Sequence, residues 1–360
     1  MSRIQFLLIF GFTFCSIQNC LAQYDAPLYT SYTMKAAREK MHDRIVKNTI
    51  YKNLSYTLAD STEEKWKEAF GAIELLVYKT PFSEAKIKYA FNNIGERSID
   101  FQRSLAELAY SVYPLEFGHE MQQLLTTTPD PKLFAICAEY WLANNKVFPY
   151  NNENLVDLIN KKFGEQAILD PILYMLQLHL AEIKNTVHSI PKQIITAILR
   201  DNFIPGKIIM YSIQRKNRNY PGLVLIRNAD GNFITDSNGL IFNVPQLARS
   251  LSNLPGYISN GNTPQGIFLM YGFGVSMSSF IGPSANVQLA MPVETSIKKF
   301  LGDSSIADSV WTLAYYNRLI PKELRNYEPL YYSYYSGQAG RTEIIAHGTT
   351  IDPNYYKRQP

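Results

Sequence analysis

The pattern of apolar and polar positions changes near Ile204-Pro205-Gly206. From about residue 34 to residue 203, apolar side chains recur every three or four positions, as Leu105, Leu108 and Val112 do. That spacing places them on one face of a helix. Beyond residue 205, short apolar runs are bounded by glycine and asparagine, which is typical of strands and turns. The pattern therefore predicts a helical domain followed by a domain rich in β-structure.

Capping residues indicate where the helices begin, because their side chains accept hydrogen bonds from otherwise unpaired backbone N–H groups. Ser98 and Asp130 are such residues, and Pro131 suits a first helical turn. Ala106-Glu107 and Ala138-Glu139 lie 32 residues apart at similar places in two helices, which permits helical repeats; an irregular bundle is the alternative. The predicted helices are 65–78 after Ser61, one opened by Ser83, 101–112, 132–143, 151–163, 168–183 and 190–199.

Short β-rich runs dominate the predicted C-terminal domain. The predicted strands are 207–214, 223–227, 266–272, 287–291 and 343–346, with a turn at Asp230-Gly231 and a helix at 244–251. The tyrosine-rich run 331–335 is interpreted as a wide strand, or else as aromatic residues that stack on glycan or cover a cleft. The predicted fold class is α+β, with an all-helical domain (repeats or irregular bundle) at 23–205 and a β-rich domain at 206–360.

Composition excludes several classes of protein. With 46% hydrophobic and 18% charged residues among 360, the chain can bury a core and is not predominantly disordered. No apolar run after the N-terminus reaches the roughly 18 residues that a membrane-spanning helix needs. Residues 206–360 contain 14 Lys/Arg against 9 Asp/Glu. This mildly basic balance suits an anionic surface such as a cell wall, and it provides no nucleic-acid-binding stripe.

The first 22 residues have the features of a cleaved secretory signal peptide. Arg3 supplies the positive end, residues 6–14 form a short apolar core, and Cys20-Leu21-Ala22 is a small-x-small cleavage site. We therefore expect a secreted, periplasmic protein that begins at Gln23 and has no transmembrane segment after cleavage. An uncleaved anchor is one alternative. A lipid-modified Cys20 is another, although the residues before it are not small.

The cysteines and most histidines suggest no chemistry of their own. The chain has only three cysteines, so a disulfide scaffold is excluded, and two of them leave with the predicted leader. Cys137 lies on the apolar face of a predicted helix, which indicates an inert core residue. The other histidines are scattered without the spacing of a zinc site, and we expect neither a metal nor an organic cofactor. These histidines are His42, His119, His179 and His188.

Two short segments in the second half carry candidate chemistry. Residues 260–268 contain two glycines and one proline, which predicts a bent loop that leads into an apolar strand. Residues 344–350 form a strand that ends in His347-Gly348-Thr349. A histidine at a strand end is held by rigid backbone with open space beside it, as a general base requires. A structural role for His347, as a hydrogen-bonding cap of the strand, is the alternative.

These segments resemble the L,D-transpeptidase (YkuD-type) catalytic domain, a β-rich fold that crosslinks or trims peptidoglycan. The family has a Gly-x-x-Thr-Pro-x-Gly-x-Phe/Tyr turn, and Gly261-Asn-Thr-Pro-Gln-Gly-Ile-Phe268 is similar to it but has a shorter approach, with one residue instead of two before the threonine. The family also has a later strand that ends in His-Gly-Thr, which His347-Gly348-Thr349 matches. The resemblance covers roughly residues 206–360. It implies that His347 is the catalytic base. It also implies a substrate-binding role for residues of both motifs, which are Gly261, Thr263, Pro264, Gly266, Gly348 and Thr349.

The sequence departs from that family at the nucleophile. The family attacks the stem peptide with a cysteine in Ser/Thr-His-Gly-Cys, about fifteen or more residues beyond the first histidine. No cysteine follows His347 in this sequence. Two interpretations remain open: the sequence is a fragment of a longer protein, or the domain is degenerate and non-catalytic. The polar residues 351–360, with no closing strand or helix, favour a fragment, and the chain as given is expected to be inactive.

The resemblance implies an exported peptidoglycan-modifying protein whose partners are stem peptides. The alternative is a non-catalytic wall-binding or scaffold protein whose helical domain binds a protein partner. We expect no nucleic acid as a partner. Glu294, which follows Met291-Pro292, and Arg341, near the presumed cleft, are candidate substrate contacts without a supporting spacing.

Overall fold

A computed structural model describes residues 35–144, 152–184, 190–275 and 285–347. The predicted leader lies outside these residues, as do Gly348 and Thr349. None of the described helices is long and apolar enough to cross a bilayer. The first half of the described chain is helical, as predicted. Its helices are α1 (Lys35–Ile45), which continues through a π-helical segment (Val46–Tyr51) into α2 (Lys52–Ser55), then α3 (Glu63–Leu76), α4 (Pro81–Asn92), α5 (Ile99–Val112), α6 (Gly118–Thr127), α7 (Pro131–Ala143), α8 (Asn152–Phe163), α9 (Gln166–Leu169), α10 (Pro171–Lys184) and α11 (Lys192–Leu199).

The helices are arranged as stacked pairs. Helix α3 packs on α5, α5 on α7 and α7 on α10, while α6 packs on α7 and α8 on α10. Glu107 and Glu139 are each the ninth residue of their helices, α5 and α7. The 32-residue spacing noticed in the sequence therefore corresponds to equivalent positions on neighbouring helices of one layer.

Side-chain caps mark where several of the described helices begin. Ser98 and Asp130 accept hydrogen bonds from the first turns of α5 and α7, so both predicted caps are confirmed. The prediction that Ser83 opens a helix is wrong by three residues. Thr80 accepts from the Ser83 N–H at 3.2 Å, and Ser83 accepts from the Thr80 N–H at 2.9 Å. This reciprocal pair is a capping box, and the helix begins at Pro81.

The second half is mixed, so the prediction of a β-rich domain is wrong. Two antiparallel three-stranded sheets have the orders β1-β2-β3 and β4-β5-β6. The strands are short and alternate with helices and long irregular segments. The elements are β1 (Ile209–Ile213), β2 (Gly222–Arg227), β3 (Asn243–Gln246), β4 (Leu269–Val275), β5 (Ala285–Ala290), α12 (Ile297–Leu301), α13 (Leu313–Tyr316), α14 (Tyr332–Gln338) and β6 (Ile344–His347). The predicted helix at 244–251 is strand β3 followed by irregular chain.

The tyrosine run forms a helix because helical spacing lets it fill two cores at once. Tyr334 stacks on Tyr316 at 5.5 Å between ring centroids. Tyr335, whose ring lies 5.6 Å from that of Tyr334, meets Tyr174 of α10 edge-on at 5.0 Å. On a strand, adjacent residues would point to opposite faces of one sheet. Here helix α14 lies between the helical layer and the second core, and its tyrosines pack into both. The interpretation of this run as a wide strand is therefore wrong.

Each of two hydrophobic cores contains side chains from both halves of the chain. The core of the helical layer includes Leu254, Tyr257 and Ile258 from the second half. The second core includes Ala197 and Phe203, which come before residue 205. Each half therefore contributes side chains that the other half buries.

Candidate functional site

A large open cleft of about 3930 Å³ is lined by residues of both halves of the chain. The turn from Thr263 to Gly266 borders it, and so does strand β6 with His347. Glu139 and His179 of the helical layer line it as well. The two segments that the sequence marks as candidates therefore both line this cleft, although 81 residues of sequence separate Gly266 from His347.

His347 is the last residue of the edge strand β6 and is exposed. Its cross-strand partner is Asn286 of β5, so both side chains lie on the same face of the sheet. A solvent-accessible imidazole on a hydrogen-bonded strand has the placement of a proton acceptor. The structure thus places His347 in solvent at the edge of the second sheet, on the border of the cleft.

A reactive thiol is missing from the described part of this cleft, because no cysteine is among its lining residues. Cys137 is fully buried in α7, and burial raises the pKa of its thiol well above its ordinary value. A thiol in that state is not a nucleophile at neutral pH. The prediction that Cys137 is an inert core residue is confirmed.

The turn that contains Gly261, Thr263 and Pro264 is held by backbone hydrogen bonds. The N–H of Thr263 donates to the carbonyl of Ala248 at 3.2 Å. A Cβ added to Gly261 would lie 2.1 Å from the carbonyl oxygen of Pro255, so only glycine fits there. Gly261 and Pro264 are buried and Thr263 is half-buried, so these three residues shape the wall of the cleft more than they expose side chains to it.

Gly266 permits a close approach of the turn to helix α14. Its φ is +133°, and an added Cβ would lie 2.2 Å from the Ser333 Oγ. The Ser333 N–H donates to the carbonyl of Gln265 at 2.7 Å, and its Oγ donates to the carbonyl of Ile267 at 3.1 Å. The close contact with α14 therefore explains why the last position of the Thr-Pro-x-Gly motif is a glycine.

Arg341 stabilises the same turn through hydrogen bonds to backbone carbonyls. Its guanidinium is buried and donates to the carbonyls of Gly256, Gly261 and Asn262, the last at 2.6 Å. Burial lowers the pKa of Arg341 to about 10. These bonds use the guanidinium within the protein, so Arg341 positions the turn and is not a substrate contact.

Glu294, the other candidate contact, is also engaged internally. Its carboxylate accepts from the N–H of Met291 at 2.9 Å and from the N–H of Glu343 at 3.0 Å. Through these two bonds it joins the end of β5 to the start of β6.

A cluster of mostly buried polar side chains lies beneath residues 257–260, and no sequence motif marks it. Tyr257 donates to Glu139 at 2.6 Å, and the Nδ1 of His179 lies 2.7 Å from the same carboxylate oxygen. Asn260 donates to Glu107 at 3.3 Å. Burial is the main cause that raises the pKa of Glu107 to about 7, and the bond from Asn260 opposes it. The pairs Tyr257–Glu139 and Asn260–Glu107 are 118 and 153 residues apart in sequence, so no local motif could reveal them.

A basic loop between β1 and β2 forms another wall of the cleft. Arg215, Lys216 and Arg218 all line it. Arg218 donates to the carbonyls of Ala248 at 3.3 Å and Thr263 at 3.4 Å. The loop has three cations within residues 215–218 and no acid between the two strands. This local charge pattern can be read from the sequence alone.

Within the described ranges, no three His, Cys, Asp or Glu side chains come together in a way that could hold a metal ion. Comparison of the chain with protein-family models, curated proteins and solved structures finds no match. The functional interpretation therefore depends on the cleft itself.

Proposed function

We propose that this exported protein binds peptidoglycan stem peptides in the cleft, in the manner of L,D-transpeptidases. One observation carries the proposal: the Thr-Pro-Gln-Gly turn and the strand that ends at His347 border the same cleft. The turn resembles the family's turn in sequence, and the histidine follows it in the family's order. The mildly basic second half and the predicted leader support a wall partner in the periplasm.

In the catalytic form of the proposal, His347 accepts the proton of a cysteine thiol. The thiolate attacks the carbonyl carbon of the scissile peptide bond, and the amine leaves with a proton as a thioester forms. A second amine or water then resolves the thioester. Cys137 cannot take this role because it is buried in α7. This chemistry therefore needs a thiol that lies outside the described cleft.

The second candidate is a non-catalytic wall-binding protein. The observation that favours it is the absence of cysteine among the residues that line the described cleft. In this form the cleft retains peptide binding, His347 is a polar contact, and the helical layer offers its outer surface to a protein partner.

Co-sedimentation with purified, insoluble peptidoglycan tests the part that both forms share. We expect the full chain from Gln23 to pellet with peptidoglycan and not with chitin, which has a related glycan but no stem peptide. Equal retention on both, or on neither, would show that stem peptides are not recognised.

Incubation of the full-length gene product, including any residues encoded beyond Pro360, with a stem tetrapeptide, followed by mass spectrometry, separates the two forms. The catalytic form predicts a thioester adduct or a trimmed peptide, and His347→Ala should abolish turnover while the protein still sediments with peptidoglycan. Binding without any adduct or product supports the non-catalytic form.

A further inference from the structure

We propose that Arg218 binds a carboxylate of the ligand, and specifically the free C-terminal carboxylate of a stem peptide. This inference rests on the proposed function, because it names the group that the cleft recognises. It also assigns the basic loop between β1 and β2 a role, which neither candidate motif provides.

The first argument is the position of the guanidinium. Arg218 lines the cleft, and its two terminal nitrogens donate to the carbonyls of Ala248 and Thr263 at 3.3 and 3.4 Å. Thr263 is the threonine of the Thr-Pro-Gln-Gly turn. The cation therefore lies directly beside the turn that borders the proposed peptide site.

The second argument is the lack of a counter-charge. Burial lowers the pKa of Arg218, and no neighbouring carboxylate contributes to that shift. In the described part of the chain, no ion pair to an acid within 4 Å involves this residue, whereas Arg103 pairs with Asp130 at 2.6 Å. Two long bonds to neutral carbonyls compensate poorly for the removal of a charge from water. A ligand carboxylate would supply the missing negative charge.

The third argument comes from two other buried arginines. Arg341 donates to three carbonyls, and Arg227 donates to those of Arg200 and Phe203. Neither of these guanidiniums lines the cleft. Unlike these two, Arg218 is half-buried on the cleft wall, as Arg249 also is, so its guanidinium lies where a ligand in the cleft could reach it.

The chemistry of the guanidinium defines the class of ligand. Its planar fork presents five N–H groups and matches the two oxygens of a carboxylate. Arg215 and Lys216 add positive charge to the same loop, which contains no acid. The expected ligand is thus a peptide with a free terminal carboxylate, and its C-terminal amide should bind more weakly.

The test compares two probes by isothermal titration calorimetry at constant ionic strength. One is a stem tetrapeptide with a free D-Ala carboxylate, and the other is the same peptide as its C-terminal amide. We expect the wild-type chain to prefer the acid by about ten- to a hundredfold, the range for a hydrogen bond to a charged group. Arg218→Gln should reduce this preference to near unity, and Arg218→Lys should retain part of it.

Arg215→Gln is the matched control. Arg215 belongs to the same loop but is exposed, and its Nε donates to the carbonyl of Pro221 at 3.3 Å. We expect this variant to lower the preference for the acid by less than about twofold, because water and salt screen the exposed charge of Arg215. An equal loss in both variants would mean that only the general charge of the loop matters, which would overturn the assignment to Arg218.

The outcomes separate this inference from the proposed function. If the wild-type chain binds acid and amide equally, Arg218 is not a carboxylate site, while stem-peptide binding stands. If the wild-type chain binds neither probe and does not sediment with peptidoglycan, both proposals fail. The wild-type comparison needs no variant, so it remains decisive even if Arg218→Gln does not fold.

Discussion

The hydroxyl of Tyr257 donates a hydrogen bond of 2.6 Å to the carboxylate of Glu139 in helix α7. Glu139 is 2% exposed, and its second partner on the same oxygen is His179 of α10. A buried carboxylate of the helical layer is thus satisfied in part by the loop that leads into the cleft turn. The helical layer therefore helps to position the proposed peptide site.

Replacing Tyr257 with phenylalanine removes this donor and keeps the ring. Because the Glu139 carboxylate would stay buried with one hydrogen bond fewer, we expect Tyr257→Phe to lower the free energy of unfolding by about 1–3 kcal/mol. Urea denaturation measures the change. Tyr110→Phe is the control, since its hydroxyl lies 3.5 Å from the carbonyl of Asn253 and contributes little. Equal effects of the two variants would contradict a specific role for the bond to Glu139.

The raised pKa of Glu107 predicts that the free energy of unfolding depends on pH. Its pKa is raised from 4.5 to about 7 in the folded protein, mainly by burial. Between those values the folded state holds a proton that the unfolded state has released, so stability falls as pH rises. We expect the unfolding free energy of wild type, relative to Glu107→Gln, to fall by about 3 kcal/mol between pH 4.5 and pH 8.

Urea denaturation of both proteins at these two pH values checks the prediction. Glu64→Gln is a control on an exposed carboxylate paired with Lys67, and we expect it to change stability by less than about 1 kcal/mol. A constant difference between wild type and Glu107→Gln across the range would show that Glu107 is not protonated near neutrality.

Gly266→Ala tests the contact between the cleft turn and helix α14. The added Cβ would lie 2.2 Å from the Ser333 Oγ and 2.9 Å from the carbonyl oxygen of Leu330, at a φ that side chains rarely adopt. We expect a loss of about 3 kcal/mol or more, because backbone strain and overpacking add. Thermal unfolding measures the loss.

Gly239→Ala separates the effect of backbone strain from the effect of overpacking. Gly239 also has a positive φ, of +76°, but an added Cβ would meet nothing within 4 Å. We expect this variant to lose only about 1 kcal/mol, from backbone conformation alone. Similar losses for both variants would show that packing against Ser333 does not require a glycine at position 266.

Arg341→Lys tests how the turn is held. A lysine ammonium cannot reach the three carbonyls that the guanidinium bridges, so buried acceptors would lose their donors. We expect faster hydrogen exchange of the amides of residues 256–263 and a loss of about 2 kcal/mol or more. Arg325→Lys is the control, because Arg325 is exposed and its two carbonyl partners, Ile320 and Asn317, lie outside residues 256–263. Unchanged exchange in Arg341→Lys would contradict the positioning role.

Sequence patterns were reliable where the controlling interaction is local. The caps Ser98 and Asp130 act within three residues of themselves, and the turn at Asp230-Gly231 closes with a bond from the Gly231 N–H to the carbonyl of Asn228. The tyrosine run was misinterpreted because its conformation depends on which surfaces bury the rings, and those surfaces come from α10 and α13.

The sequence by itself determined the helical character of the first half, the strand that ends at His347, and the bend that ends at Gly266, because periodicity, capping and glycine act over a few residues. Only the tertiary structure decided that the turn and His347 share one cleft, that Arg341 is internal, and that Glu139 and Glu107 contact the loop. These outcomes depend on hydrogen bonds and burial between groups about 80 to 150 residues apart in the chain, which no local pattern encodes.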